Sequence, residues 1–203
     1  MVRTAFLVAG NGAKLQSILD SVYFGEIPNF ELTAVLSPDP GSYALTRARN
    51  AGVPAFVVEP ADFPTKMSYS LAISNKLKDM DIDLVVLDGY NMPLGVVSTQ
   101  FKNRLMGVCP SLIPAFENFE GDAVRAALER GCKTTGATVY FLDPDGNVGP
   151  IVSQQAVDVL PGDSVEALSR RILEEAEWKL LPKALALYCE GRLKVRGSRT
   201  VII

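Results

Sequence analysis

Short apolar runs alternate with segments of helical spacing along most of this chain, and that alternation restricts the fold more than any other feature. It is the pattern of parallel strands joined by crossover helices. The first run covers residues 4–9 and is followed by KLQSILDSV, where Leu15, Ile18, Leu19 and Val22 share one helical face. Next come LTAVLS, a turn at PDPGS, a helix at YALTRARNAG that Gly52 ends, and a strand at PAFVVE. Residues 84–87 are apolar throughout, which predicts burial on both faces and a central place in the sheet. A loop over 89–93, a helix over 96–103 and a strand over 105–109 follow. Beyond an aperiodic stretch at 110–121, the pattern resumes with the helix DAVRAALERG, the strand GATVYFLD, a turn at PDGNVGP, and IVSQQAVDVL as an edge strand. Asp163 with Glu166 predicts an aspartate-started capping box for a long C-terminal helix. The expected fold is α/β: a doubly wound, mostly parallel sheet with helices on both faces. Residues 1–203 are expected to form one domain, since a chain of this length buries roughly 70% of its unfolded surface in a single core.

Composition removes several classes of function. The 48% hydrophobic and 21% charged content belongs to an ordinary globular chain. A net charge of −3 offers no field that would gather nucleic acid or an anionic membrane. No stretch reaches the ~18 apolar residues of a spanning helix, and TAFLVAG reads as a first strand and not a signal peptide. Cys109, Cys132 and Cys189 are odd in number and lack CxxC spacing, which points to neither a disulfide framework nor a zinc site. The chain has no histidine, so most catalytic zinc and copper sites are excluded and no metal is expected. A reducing cytoplasm is the expected location.

Ligands of an open α/β sheet gather at the carboxyl ends of its strands. The candidate site is therefore assembled from loops 10–14, 88–94, 109–114 and 143–150. The first carries Gly10-Asn11-Gly12 between a strand and a helix, which makes either a plain tight turn or an anion cradle of backbone N–H groups. Lys14 favours the cradle, because a cation in a helix's first turn opposes the macrodipole unless an anion lies nearby. Cys109 reads either as a small buried hydrophobe or as a nucleophile without a histidine base. Asp88 is a charge at the end of an apolar strand, as a loop cap or a site carboxylate. Glu177, beside Trp178, reads as a solvated helix carboxylate or as a member of the site.

AGNGAKLQSILD, LTRARNAGVP, LVVLDGY, CPSLIP, TGATVYFLD, GPIVSQ and EGRLK together resemble the phosphoribosylglycinamide formyltransferase family, in order and over almost the whole chain. In that family the amine of a glycinamide ribonucleotide attacks the formyl carbon of 10-formyltetrahydrofolate. An asparagine, a histidine and an aspartate stabilise the tetrahedral oxyanion and manage its protons. The resemblance puts Gly107, Cys109 and Asn147 at those three positions, all replaced; a gap in the last segment would put Asp145 at the aspartate. It implies a phosphate loop at Gly12, Ala13 and Lys14 with Asn11 beside them, an amine-binding glutamate at Glu177, a cleft arginine at Arg49, and a substrate-contacting Pro110. The folate loop falls on Tyr90, Asn91, Met92, Pro93 and Leu94, where the family's arginine is lost and Pro93 removes a backbone donor. A cis Ile113–Pro114 bond is implied as well.

The expected protein binds a phosphoribosyl ligand with catalysis lost or strongly impaired. The alternative is active formyl transfer to glycinamide ribonucleotide in purine biosynthesis, with 10-formyltetrahydrofolate as cosubstrate, Asp88 or Asp145 handling protons and Asn147 with backbone groups holding the oxyanion. A third reading is altered chemistry through Cys109. The partners expected are a small phosphoribosyl ligand and no nucleic acid or membrane, with a homodimer left open.

Overall fold

The computed structural model describes residues 1–117 and 121–203. Its centre is β4 (Leu84–Asp88), every residue of which is buried. Alternate side chains explain why both faces are apolar. Leu84 and Val86 enter one hydrophobic cluster with Phe6, Val8, Leu15 and Ile18, whereas Val85 and Leu87 enter a second with Ala5, Leu7, Tyr69 and Ile73.

The chain runs β1 (Val2–Val8), α1 (Ala13–Tyr23), β2 (Phe30–Ser37), α2 (Tyr43–Asn50), β3 (Ala55–Val57) and α3 (Lys66–Asp79) before reaching β4. It continues through α4 (Gly95–Gln100), β5 (Leu105–Cys109), α5 (Ala123–Glu129), β6 (Thr134–Leu142) and β7 (Val148–Asp158). The seven strands lie in the order β3-β2-β1-β4-β5-β6-β7, with β6 and β7 antiparallel to their neighbours. The doubly wound, mostly parallel sheet expected from the alternation is present, with β4 central and β7 at an edge. Winding reverses between β1 and β4, which opens the switch-point crevice at their carboxyl ends.

The C-terminal region holds α6 (Val165–Ile172), a π turn over Leu173–Glu177, α7 (Trp178–Cys189) and a hairpin of β8 (Leu193–Arg196) with β9 (Arg199–Ile202). Trp178 N–H donates to Leu173 C=O, five residues back, so the long helix expected here is interrupted where Glu177 emerges. Its N-cap is not the expected aspartate box. Ser164 caps α6 by accepting from Ala167 N–H at 3.2 Å, and Asp163 is drawn aside by Arg171, with contacts of 2.6 and 2.7 Å.

Helix α3 and the β8–β9 hairpin are elements the apolar periodicity does not announce. In α3 the buried face includes Ser70 and Ser74 among Tyr69, Ile73 and Leu77, which blurs the stripe. Val22 is the outlier of α1: it stands 39% exposed although it continues the face of Leu15 and Ile18. The aperiodic stretch 110–121 includes residues 118–120, which lie outside the described residues. Among the described residues no helix is long and apolar enough to cross a membrane.

Candidate active site

The first wall of the crevice is the turn from β1 into α1. Gly12 has φ 68°, and a Cβ there would lie 2.8 Å from Ala44 Cβ, so only glycine meets both demands. Asn11 Oδ1 accepts from Ala13 N–H at 3.0 Å, and Ser42 Oγ donates to Gly10 C=O at 2.6 Å. The first helical bond runs from Gln16 N–H to Gly12 C=O at 3.0 Å. The N–H groups of Lys14 and Leu15 thus lack helical acceptors, and the N-cap residue, Gly12, has no side chain to supply one. An anion is the natural complement of such a terminus.

Lys14 itself turns inward. Its Nζ lies 3.1 Å from Asp88 Oδ1 and 3.5 Å from Glu177 Oε2. The positive charge that Lys14 brings to the helix start is therefore balanced by the protein, from the end of β4 and from the π turn, which leaves the first-turn N–H groups themselves unanswered. Both carboxylates are deeply buried, Asp88 at 5% and Glu177 at 4% exposure. The solvated-helix reading of Glu177 is thereby corrected: the π turn rotates it into the molecule, and Trp178 Nε1–H donates to Ala13 C=O at 3.2 Å to hold the two helices together. Burial raises the Glu177 carboxyl above the ordinary glutamate range, against the pull of Lys14. Lys14 stays charged, because the two carboxylates outweigh its own burial and raise it.

The opposite wall is residues 109–114, pinned from below by Thr138. Thr138 Oγ1 donates to Ser111 C=O at 2.6 Å and accepts from Ile113 N–H at 3.1 Å, while Gln154 Nε2 donates to Ile113 C=O at 2.8 Å. Ile113–Pro114 is cis. The Cys109 thiol lies 3.5 Å from Ser111 Oγ, and burial pushes its pKa up, so it is a thiol and not a thiolate near neutral pH. Beside it opens a cavity of about 380 Å³ whose lining includes Cys109, Pro110, Tyr140, Gly146 and Asn147.

A formyl transferase family profile matches residues 2–185. The chain belongs to the formyl transferase family. Phosphoribosylglycinamide formyltransferase of Haemophilus influenzae is 32% identical over 199 residues, covering 98% of this chain and 92% of that protein. The trifunctional purine biosynthetic protein adenosine-3 of Drosophila pseudoobscura pseudoobscura is 34% identical over 95% of this chain, which spans only 14% of that longer protein. The crystal structure of glycinamide ribonucleotide transformylase 1 from Symbiobacterium toebii superposes with a TM-score of 0.92 at 41% identity, covering 100% of this chain and 94% of the other.

Set against the formyl transferase pattern, the site residues divide. Gly107 lies in the middle of β5 and Cys109 at its end, and Asn147 joins Cys109 at the cavity. Asp145 is exposed and not among that cavity's lining; its N–H donates to Asp143 Oδ1 at 2.9 Å, as Asn147 N–H does at 2.8 Å. The turn therefore presents Asn147 to the cleft. Arg49 is not brought to the glycine loop: it is exposed in the last turn of α2, ~10 Å along the helix from Ser42 at the loop end. Arg47 arrives instead, with Nε donating to Asn11 C=O at 3.0 Å and Nη1 to Gln16 Oε1 at 2.8 Å.

Of the folate-loop residues, Tyr90 and Leu94 are buried in the second core cluster, where the Tyr90 and Tyr69 hydroxyls share a hydrogen bond. Met92 packs partly against that cluster, Pro93 is half-buried, and Asn91 is exposed. Tyr140 is the site residue that sequence reasoning missed. It lies directly opposite Gly107 across β5 and β6, and it lines the same cavity as Cys109. A glycine inside a strand signals close approach by a neighbour, and that signal was present at Gly107.

Proposed function

We propose that the cleft binds a phosphoribosyl ligand and that formyl transfer is lost or strongly impaired. The phosphate is held by the first-turn N–H groups of α1, beside Asn11, Gly12 and Ala13, as in other anion sites at helix ends. The sugar lies across the switch-point crevice toward Pro110. The role in purine biosynthesis that its relatives' names carry, and a cytoplasmic location, attach to this chain on the strength of that likeness.

One observation carries the impaired half of the reading. Where a tetrahedral adduct would need a proton carrier, the cleft presents Asn147 and a half-buried Cys109 whose thiol burial pushes up, and Gly107 in the same strand brings no side chain. Asn147 has an amide that donates a hydrogen bond but releases no proton near neutral pH. The Tyr140 hydroxyl, pushed up to about 12 by burial and by Cys109, also keeps its proton. Loss of one oxyanion donor costs ~10²–10³ in rate and loss of an acid or base ~10²–10⁴, without simple additivity. Transfer should run at least ~10³-fold below an ordinary member. A formyltetrahydrofolate cosubstrate fits poorly, because Tyr90 and Leu94 are spent in the core and Pro93 offers no N–H.

A steady-state assay with glycinamide ribonucleotide and 10-formyltetrahydrofolate tests the reading. Turnover within about tenfold of an ordinary member would end it.

A further inference from the structure

The charges at the floor of the crevice are engaged by the protein itself. Lys14 Nζ sits between Asp88 Oδ1 at 3.1 Å and Glu177 Oε2 at 3.5 Å, and its side chain is only 17% exposed. The three residues come from the first turn of α1, the end of β4 and the π turn, so three separate elements converge on one ammonium. A lysine in that first turn works against the macrodipole, and a buried ammonium is tolerated only when paired and hydrogen-bonded. Among the described residues, Asp88 Oδ2 and Glu177 Oε1 are buried without a hydrogen-bond partner. The two carboxylates therefore form a seat with more acceptor capacity than Lys14 uses, yet their free oxygens are closed off from solvent. A ligand amine approaching these carboxylates would meet Lys14 already paired with both.

We infer that Lys14 is a resident ammonium in the cation seat of the crevice, so that the phosphorylated sugar taken by this cleft carries no ammonium at its buried end. The inference rests on the phosphoribosyl reading and narrows it. A sugar phosphate with an uncharged C1 substituent fits, and a ribonucleotide ending in a primary ammonium does not. Lys14 is thus a specificity determinant: it competes, as a tethered side chain at high effective concentration, for the carboxylates an incoming amine would need.

The test compares the full wild-type chain with Lys14→Ala, and with Lys14→Met/Asp88→Ala, which removes one charge of each sign and leaves Glu177. Thermal melting in ethylammonium chloride is set against sodium chloride at equal ionic strength. Lys14→Ala should melt below wild type and recover most of the loss in ethylammonium, while wild type melts alike in both salts. Equal melting of the variant in the two salts overturns the inference. Should Lys14→Ala fail to fold, the double variant is melted in the same pair of salts, with the same two outcomes.

Calorimetry with ribose 5-phosphate and glycinamide ribonucleotide then reads specificity. Wild type should bind ribose 5-phosphate at least as tightly as the ribonucleotide, and the double variant should shift toward the ribonucleotide by about tenfold or more. Wild type preferring the ribonucleotide by about tenfold overturns the inference. Ethylammonium rescue with no sugar phosphate bound by either protein leaves the Lys14 assignment standing and ends the phosphoribosyl reading instead.

Discussion

The ring of Tyr140 stands where a side chain on Gly107 would have to go: a Cβ built on Gly107 would lie 2.8 Å from Tyr140 Cζ and 3.0 Å from its hydroxyl. The two residues are register partners across β5 and β6, so their side chains share one face of the sheet. The missing side chain at 107 and the large one at 140 are a single packing solution. An asparagine placed at 107 would require the tyrosine to move.

Gly107→Asn is therefore expected to destabilise the fold by ~1–3 kcal/mol through overpacking against the ring. Adding Tyr140→Ser should recover most of that loss, giving a favourable coupling in a double-mutant cycle measured by urea unfolding. Additive single effects would mean the ring is not what blocks the position.

The Cys109 thiol supplies a second test, because burial raises its pKa and lowers its thiolate fraction at any given pH. In a protein with Cys132 and Cys189 changed to alanine, iodoacetamide at pH 8 should alkylate Cys109 about tenfold or more slowly than a free thiol. Alkylation at the free-thiol rate would show a reactive cysteine and reopen transfer chemistry through it.

How far the site could be read in the sequence depended on whether its residues lie close along the chain. The glycine turn, the apolar β4 and the residues of 109–114 are local patterns, and each occupies its expected place at the carboxyl ends of the strands. Lys14 was legible as an odd charge at a helix start, but its partners are 74 and 163 residues away along the chain, at Asp88 and Glu177. Only the sheet order brings them together. Glu177 left two readings open, a solvated helix carboxylate or a member of the site, because neither the π turn nor its partner Lys14 is visible in local spacing. Arg47 and Arg49 differ by two positions, which on a helix places them on different faces; the resemblance pointed to Arg49, and it is Arg47 that bonds the glycine turn. In α3, Ser70 accepts from Val96 N–H at 2.9 Å, and Ser74 bonds Gln100, so buried serines serve a tertiary contact that no periodicity encodes.

Thr138 should prove more important to the cleft than its chemistry suggests. Its fully buried hydroxyl joins Ser111 C=O, Ile113 N–H and Gln154 Nε2, which fixes residues 111–113 against β6. Thr138→Val keeps the shape and strands those backbone groups, at a cost of ~1–3 kcal/mol for each group left unpaired. The expected result is a lower urea midpoint at unchanged slope, together with weaker ribose 5-phosphate binding. Unchanged stability would mean that the loop is held by Gln154 alone.

Glu177 imposes a pH dependence on the stability of the fold. Burial raises its carboxyl above the ordinary value of 4.5, opposed by Lys14 and reinforced by Asp88. A folded-state pKa above the unfolded one means that the native protein holds this proton more tightly than the unfolded chain does. The stabilisation from that proton is fully present below about pH 4.5 and is lost as pH rises through the folded value. Glu177→Gln removes the titration while preserving shape and the Lys14–Asp88 pair. The unfolding free energy of wild type relative to Glu177→Gln should therefore be most favourable near pH 4 and decline as pH climbs toward 8. The comparison is made by urea unfolding across that range, where both proteins share every other titrating group. A relative stability that instead rose with pH would mean that pairing with Lys14 outweighs the burial of Glu177, and would reverse the direction assigned to its carboxyl.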